Sequence, residues 1–141
     1  MTQHFTLKEF TSSATAKRLG IDNTPPAAVR AKLKTLAQNV LEPLRKAWGK
    51  PIIVSSGYRC PRLNKAIGGA QNSDHLYGCA ADIHTVSDTR EDNKRLFDLA
   101  LHLIHNGTIE VKQLIDESRY DWLHISWQDG RTKKRNQVLH L

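Results

Sequence analysis

The chain has 141 residues, 39% hydrophobic and 25% charged, and its 21 basic and 14 acidic residues give a formal net charge of +7 at pH 7. This composition is ordinary for a globular protein, and the length is sufficient for one domain with a core of its own. The chain contains two cysteines and no apolar stretch as long as a bilayer is thick, which excludes a disulfide scaffold and membrane insertion. We therefore predict one domain over residues 1–141.

The beginning of the chain predicts a short helix. Thr6 and Glu9 fit a capping box, in which the hydroxyl and the carboxylate each bind a backbone N–H group at the helix start. Phe5 and Phe10 flank this box at the spacing of a hydrophobic staple. Residues 20–26 then carry a glycine and two prolines, which predict a break before the next helix.

A longer amphipathic helix is expected after this break. Its apolar residues recur at steps of four and three and so lie on one face: Val29, Leu33, Leu36, Val40 and Leu44. Pro43 has no N–H group and is expected to bend the helix, and Gly49 is expected to end it. Residues 1–50 are thus interpreted as a helical N-terminal part of the single domain.

The rest of the chain predicts a small sheet. Five short apolar or alternating runs indicate strands, at residues 52–54, 80–84, 111–115, 122–127 and 137–141. The third and fourth are expected to pair across a solvated turn at residues 116–120. Thr89 and Asp92 can cap a helix that ends at Asn106, and residues 60–77 are expected to form a loop with one helical turn. These elements predict an α+β fold with a small antiparallel sheet and flanking helices.

Two distant segments carry side chains suited to metal binding. The first contains His75 and Asp82, and the second contains His124. Two imidazoles and one carboxylate form a ligand set typical of catalytic zinc, which keeps a fourth position open for water or substrate. Asp121, three residues before His124, adds a carboxylate that could act as a base without binding the metal. Together the four residues predict a metal-dependent hydrolase.

The order of these motifs resembles that of the zinc D-alanyl-D-alanine carboxypeptidase family, which includes vancomycin-resistance dipeptidases and phage endolysins that cut peptidoglycan stem peptides. The residues that carry the resemblance are Ser56-Gly57-Tyr58-Arg59, Asn64, Gly68-Gly69, the segment 73–83 and the segment 121–126. The resemblance extends from about Phe5 to the end of the chain. It implies a hedgehog/DD-peptidase-like fold, a peptidoglycan stem peptide as substrate, and one Zn²⁺ per chain bound by His75, Asp82 and His124.

The same resemblance implies roles for residues around the metal. Asp121 would be the general acid–base group. Arg59 would point into the cleft, where its planar guanidinium can bind a substrate carboxylate or the developing oxyanion. Ser73 and Tyr58 are candidate substrate contacts, with a turn role for Ser73 and a packing role for Tyr58 as the alternatives.

Neighbouring residues compete for two of these roles. His84 follows Asp82 by two residues and so shares its face of the predicted strand. By spacing alone, a credible rival ligand set is His75, His84 and His124. The family pattern selects Asp82, which leaves His84 as a neighbour or a substrate contact. Asp116 and Glu117 are rival carboxylates for the base, and both are interpreted as solvated because they fall in the predicted turn.

Other reactive or charged residues receive simpler interpretations. The basic segment at residues 130–135 is interpreted first as a solvated turn and second as attraction to anionic cell-wall polymer. No nucleic-acid partner is expected, because the chain has no helix-turn-helix signature, zinc-finger spacing or aromatic-basic RNA motif. Cys60 and Cys79 are expected to be reduced thiols, with a disulfide across the site as the alternative.

The predicted function is a zinc metallopeptidase acting on stem peptides, as a D-Ala-D-Ala carboxypeptidase or as an L-Ala-D-Glu-type endopeptidase. The first residues show no basic and apolar regions of a signal peptide. We therefore expect a protein made in the cytoplasm that acts at the cell wall, in phage or prophage lysis or as a virion component. We also expect a monomer. The alternative is a non-catalytic, metal-containing binding or structural module of the same fold, for which the hedgehog signalling domain is the precedent.

Overall fold

A computed structural model describes residues 1–141, and four α-helices form the N-terminal part. Their bounds are Leu7–Thr11 (α1), Ala14–Leu19 (α2), Ala27–Leu36 (α3) and Glu42–Trp48 (α4). The capping box at α1 is confirmed, since Thr6 and Glu9 bind each other's backbone N–H groups. The staple is confirmed as well, because the rings of Phe5 and Phe10 are 6.2 Å apart. The helix α2 was not predicted, and Ser13 caps it by accepting a hydrogen bond from the Ala16 N–H group at 3.1 Å.

A π-helical turn, Ala37–Leu41, connects α3 to α4. The irregularity therefore lies one turn before Pro43, where the sequence predicted a bend. Pro43 cannot donate a hydrogen bond to the carbonyl group four residues earlier, and a π turn accommodates the resulting change in hydrogen bonding. Gly49 ends α4 in the left-handed conformation with φ of 76°, as predicted.

Five strands form one sheet in the order β1-β2-β4-β3-β5. Their bounds are Ile52–Ser56 (β1), Ala80–Thr85 (β2), Gln113–Glu117 (β3), Trp122–Ser126 (β4) and Gln137–His140 (β5). All neighbours are antiparallel except β3 and β5, which are parallel. The predicted α+β class is thus confirmed, with a sheet that is mostly rather than wholly antiparallel.

The two faces of the sheet have different environments. Along β4, Leu123 and Ile125 belong to the main hydrophobic core, whereas His124 between them faces the other side. The helix α6 (Arg90–His105) packs against β2, β3 and β4 and also contacts α4. The core therefore lies between the sheet and these helices, which leaves the opposite face for polar side chains.

Residues 60–77 contain more helix than predicted. They form α5 (Pro61–Ala66) and a 3₁₀ turn at Asp74–Tyr77, which we call the His75 turn. Pro61 fits the first turn of α5, because no helical N–H group is needed there, and Cys60 caps it by accepting from the Leu63 N–H group. Ser73 caps the His75 turn, because its hydroxyl accepts from the His75 N–H group at 3.2 Å.

The predicted solvated turn at residues 116–120 was wrong in its first two positions. Asp116 and Glu117 belong to β3, where Asp116 pairs with Leu123 and Glu117 with Trp122. Asp116 is only 4% exposed. The alternation of polar and apolar residues was too weak to define the strand end, and the pairing with β4 extends β3 by two residues. No helix combines the length and the apolar character needed to cross a bilayer.

Candidate metal centre

Three side chains converge on the polar face of the sheet. One ligand atom from each of His75, Asp82 and His124 lies within 4.8 Å of the other two. The Asp82 Oδ1 atom is 3.3 Å from His75 Nε2 and 3.2 Å from His124 Nδ1. Two imidazole nitrogens and a carboxylate oxygen at such distances can hold a divalent metal ion. The structure therefore brings together the three ligands that the resemblance implied.

The sheet positions two of these ligands. Asp82 on β2 and His124 on β4 are directly opposite each other in the antiparallel register. Residues paired in this way project from the same face, at the distance of neighbouring strands. Ser56, at the end of β1, pairs with Asp82 after a register shift. The strand that precedes Arg59 therefore ends beside the ligands.

The third ligand is oriented by a backbone carbonyl. His75 Nδ1 lies 2.6 Å from the Gly57 oxygen. A carbonyl oxygen only accepts hydrogen bonds, so Nδ1 carries the proton and Nε2 presents its lone pair toward Asp82. Gly57 has no room for a side chain, because a Cβ atom there would lie 2.6 Å from the Cα and O atoms of Phe10. The close approach to α1 explains the glycine of the Ser-Gly-Tyr-Arg block.

Arg59 extends toward the ligands with its guanidinium held by three partners. Its Nη2 lies 3.4 Å from Asp82 Oδ2, its Nε 3.3 Å from Ser56 Oγ, and its Nη1 3.3 Å from Asn64 Oδ1. A Cβ atom at Gly69 would lie 2.0 Å from the same Asn64 oxygen. The motif residues Asn64 and Gly69 thus support Arg59, Asn64 by its hydrogen bond and Gly69 by leaving room for the Asn64 side chain.

The ionised state of Asp82 suits a metal ligand. Burial by itself raises the pKa of Asp82, but the adjacent imidazoles of His124 and His75 outweigh it and hold the pKa well below its ordinary value. Burial lowers the pKa of Arg59, and the charge of Asp82 acts in the opposite direction. A carboxylate that stays ionised among imidazoles suits a metal ligand, because the ligating forms are the carboxylate anion and the neutral imidazole.

The candidate base is not in contact with the ligand cluster. The Asp121 side chain is 58% exposed, and its carboxylate lies 3.9 Å from Arg90 Nη2. Glu117 lies on the same sheet face as His124 and is half-buried. Burial raises the pKa of Glu117, the charge of His124 lowers it, and the charge of Asp82 raises it again. Asp121 thus stays a prediction, and Glu117 is electrostatically coupled to the ligands rather than solvated in a turn.

The remaining predicted site residues have other contacts. His84 is outside the ligand cluster, and its Nδ1 donates to the Thr85 carbonyl oxygen at 2.7 Å. Tyr58 is 5% exposed in the core, yet it also lines a groove of about 210 Å³ beside Arg59. Ser73 caps the His75 turn. A larger cavity, of about 970 Å³ near α4, contains none of the candidate ligands.

The structure also shows the surroundings of the basic segment at residues 130–135 and the state of the two cysteines. Residues 130–135 are all exposed, and within this segment Arg131 also binds Asp74 and Asp129. Cys60 and Cys79 are both free thiols, as expected.

Comparison with known proteins agrees with the geometry. Residues 3–125 match the family described as Peptidase M15, and this range contains all three ligands. The zinc D-Ala-D-Ala carboxypeptidase of Streptomyces albus G is 35% identical over 92 residues, which are 64% of this chain and 34% of that protein. The chain thus matches about a third of the length of this relative. Because the family match covers most of the chain, the chain belongs to the peptidase M15 family.

Proposed function

We propose that this protein is a zinc metallopeptidase that hydrolyses an amide bond of peptidoglycan stem peptides. One observation carries the proposal: ligand atoms of His75, Asp82 and His124 converge within 4.8 Å, and a guanidinium lies beside them. The similarity to a zinc D-Ala-D-Ala carboxypeptidase supports the metal and the class of substrate.

The donor set fits one Zn²⁺ per chain. Zinc takes imidazole nitrogen and carboxylate oxygen as ligands, and three protein ligands leave one position for water or substrate. The Gly57 carbonyl holds the proton on His75 Nδ1, so Nε2 is available to bind the metal. When bound, zinc would supply a Lewis acid that polarises the scissile carbonyl and lowers the pKa of a water molecule.

We assign Arg59 the role of binding the substrate or its developing oxyanion. Its guanidinium is oriented by Ser56, Asn64 and Asp82 before any substrate arrives. A fixed planar cation binds a carboxylate, or the oxyanion that develops on the scissile carbonyl, without reorganising. The groove beside it is lined by serine and threonine hydroxyl groups, by Tyr58 and by apolar residues such as Leu63 and Ile67. Such a surface suits the polar backbone and carboxylates of a stem peptide. Ser73 and His84 stay candidates for further substrate contacts.

Asp121 is assigned as the general acid–base group, which accepts the proton of the attacking water and passes it to the leaving amine. It follows a turn in which Ser118, Arg119 and Tyr120 have φ of 50°, 60° and 67°. Non-glycine residues in this conformation are strained, and such strain is common at functional sites. Asn93 holds the turn by donating from Nδ2 to the Tyr120 and Asp121 carbonyl oxygens at 2.9 and 3.3 Å.

The bond that is cut and the place where the protein acts are also part of the proposal. The bond is either the terminal D-Ala-D-Ala bond or an internal bond such as L-Ala-D-Glu. We place the activity at the cell wall, in phage or prophage lysis or in a virion. The net charge of +7 supports attraction to anionic wall polymers.

A second candidate is a non-catalytic module that keeps the metal for binding or structure. The exposed position of Asp121, whose carboxylate lies beside Arg90 rather than among the ligands, favours this alternative. The guanidinium of Arg59 beside the candidate ligands favours the enzyme, because it can stabilise the oxyanion that develops during hydrolysis.

Digestion of purified peptidoglycan distinguishes the two candidates. The polymer is incubated with the protein alone, with the protein and a chelator, and with the protein and a chelator followed by excess zinc. The fragments released in each digestion are identified by mass. Release of D-Ala indicates the carboxypeptidase, and new D-Glu amino termini indicate the endopeptidase. His124→Ala should release nothing, whereas His102→Ala, on the exposed surface of α6, is the matched control and should behave as the unchanged protein. No release by zinc-loaded protein would favour the non-catalytic module.

A further inference from the structure

Asp74, the first residue of the His75 turn, is a buried carboxylate outside the ligand cluster. It is 7% exposed, and Lys112 Nζ donates to both of its oxygens at 2.9 Å. Arg131 Nη2 donates to Oδ1 at 2.7 Å. Lys112 is itself 7% exposed, so the ion pair lies inside the protein. A desolvated carboxylate with this many charge-assisted hydrogen bonds is held in one position.

Arg131 contacts both ends of the His75 turn. Its Nη2 binds Asp74 at the first residue, and its guanidinium lies 3.8 Å from the ring centre of Tyr77 at the last residue. Its Nε donates to Asp129 Oδ2 at 2.7 Å. Lys32 Nζ, on α3, donates to the same oxygen at 2.9 Å. The network therefore fixes the turn to α3 on one side and to the residue preceding β3 on the other.

The His75 turn depends on such external support. It has four residues, and a single 3₁₀ turn is too short to be stable by itself. The His75 ring makes one hydrogen bond, to Gly57, and its remaining position follows from the backbone of the turn. A metal ligand must be held within about 0.5 Å of its productive position, and residues around it supply that precision.

We propose that Asp74 and Arg131 are positioning residues, which hold His75 ready to bind the metal. This inference rests on the proposed zinc site, but it concerns side chains outside the ligand set. The competing interpretation is that the network only stabilises the fold. In that case its loss lowers the melting temperature without changing the metal affinity of the folded molecules.

Metal affinity and stability are therefore measured separately. Zinc affinity of the metal-free protein is determined by competition with a chromophoric chelator, well below the unfolding temperature. Thermal unfolding is followed without metal, and Co²⁺ absorption reports the ligand geometry. We expect Asp74→Asn to weaken zinc binding about 10- to 100-fold, the usual effect of losing a residue that supports a ligand. The Co²⁺ spectrum should change as well.

Asp116→Asn is the matched control. Asp116 is also a buried carboxylate with a side-chain partner, His140, but it lies on the opposite sheet face from His124. This variant should lose thermal stability and keep the zinc affinity and the Co²⁺ spectrum. Arg131→Ala is a milder second variant, because the Lys112–Asp74 pair remains in it, and it should weaken zinc binding in the same direction.

The outcomes separate this inference from the proposed function. Zinc binding in the unchanged protein with equal affinity in folded Asp74→Asn and Arg131→Ala would overturn the positioning role alone. Equal losses of zinc affinity in Asp116→Asn and Asp74→Asn would overturn it too, because the effect would then follow from stability. A failure of the unchanged protein to bind zinc would overturn the metal site itself.

Discussion

Asp82 lies opposite His124 in the register of β2 and β4, and its Oδ1 atom is within 3.2 Å of Nδ1 of that histidine. The same oxygen is 3.3 Å from His75 Nε2. A ligand on each of two paired strands is held rigidly, because the backbone hydrogen bonds of the sheet fix the separation. The His75 turn then needs to supply only the third ligand.

The first prediction is one zinc ion per chain, bound by His75, Asp82 and His124. His124→Ala and Asp82→Ala should each lose the metal, because two remaining ligands do not make a site of useful affinity. His84→Ala should retain it, since the His84 ring is bound to the Thr85 carbonyl. Metal analysis of the purified variants tests this. Zinc retained by Asp82→Ala and lost by His84→Ala would show that the three histidines form the site.

The second prediction concerns the general base. Asp121→Ala should keep its zinc, and its turnover should fall by about 10²- to 10⁴-fold, the usual contribution of a general acid–base group. Glu117→Gln is the comparison, because Glu117 is half-buried on the ligand face. Turnover on a defined stem peptide is the measurement. A normal rate in Asp121→Ala together with a large loss in Glu117→Gln would move the role to Glu117.

The third prediction concerns Arg59. Arg59→Lys should lower turnover by about 10²- to 10³-fold, as expected for a lost oxyanion donor, because an ammonium group cannot reproduce the planar fork that Ser56, Asn64 and Asp82 orient. The zinc content should stay normal. A fall in kcat with an unchanged KM indicates oxyanion stabilisation, and a rise in KM alone indicates ground-state binding. Full activity would reduce Arg59 to a structural partner of Asp82.

The fourth prediction concerns thiol reactivity. Cys79 is fully buried, and its Sγ lies 3.3 Å from Asp129 Oδ2. Burial, together with the negative charge of Asp129, raises the pKa of the Cys79 thiol to about 12. Because the thiolate is the reactive form, iodoacetamide should leave Cys79 unmodified in the native protein at mildly alkaline pH and label it after unfolding. Peptide mass analysis reads this out, and a Cys60–Cys79 disulfide or native labelling of Cys79 would contradict it.

Sequence patterns that involve only a few neighbouring residues predicted the local structure correctly. The capping box of Thr6 and Glu9 and the αL glycine after α4 depend only on neighbouring residues, and both are present. The assignment of Asp116 to a solvated turn was wrong, because its burial depends on β4 and on His140, which are distant in sequence. The network around Asp74 left no signal in the sequence, since Arg131 follows Asp74 by 57 residues and no pattern links the two.

The sequence by itself determined the chemistry that is available. Two imidazoles, a carboxylate and an arginine in the order of a known family indicate metal-assisted hydrolysis, because ligand and charge properties belong to the residue types. Only the tertiary structure decided which carboxylates lie near the candidate metal site. The pairing of β3 with β4 brings Glu117 onto the ligand face, while the strained turn after it carries Asp121 into solvent. Such distances depend on strand register and on packing between remote segments, which no local pattern encodes.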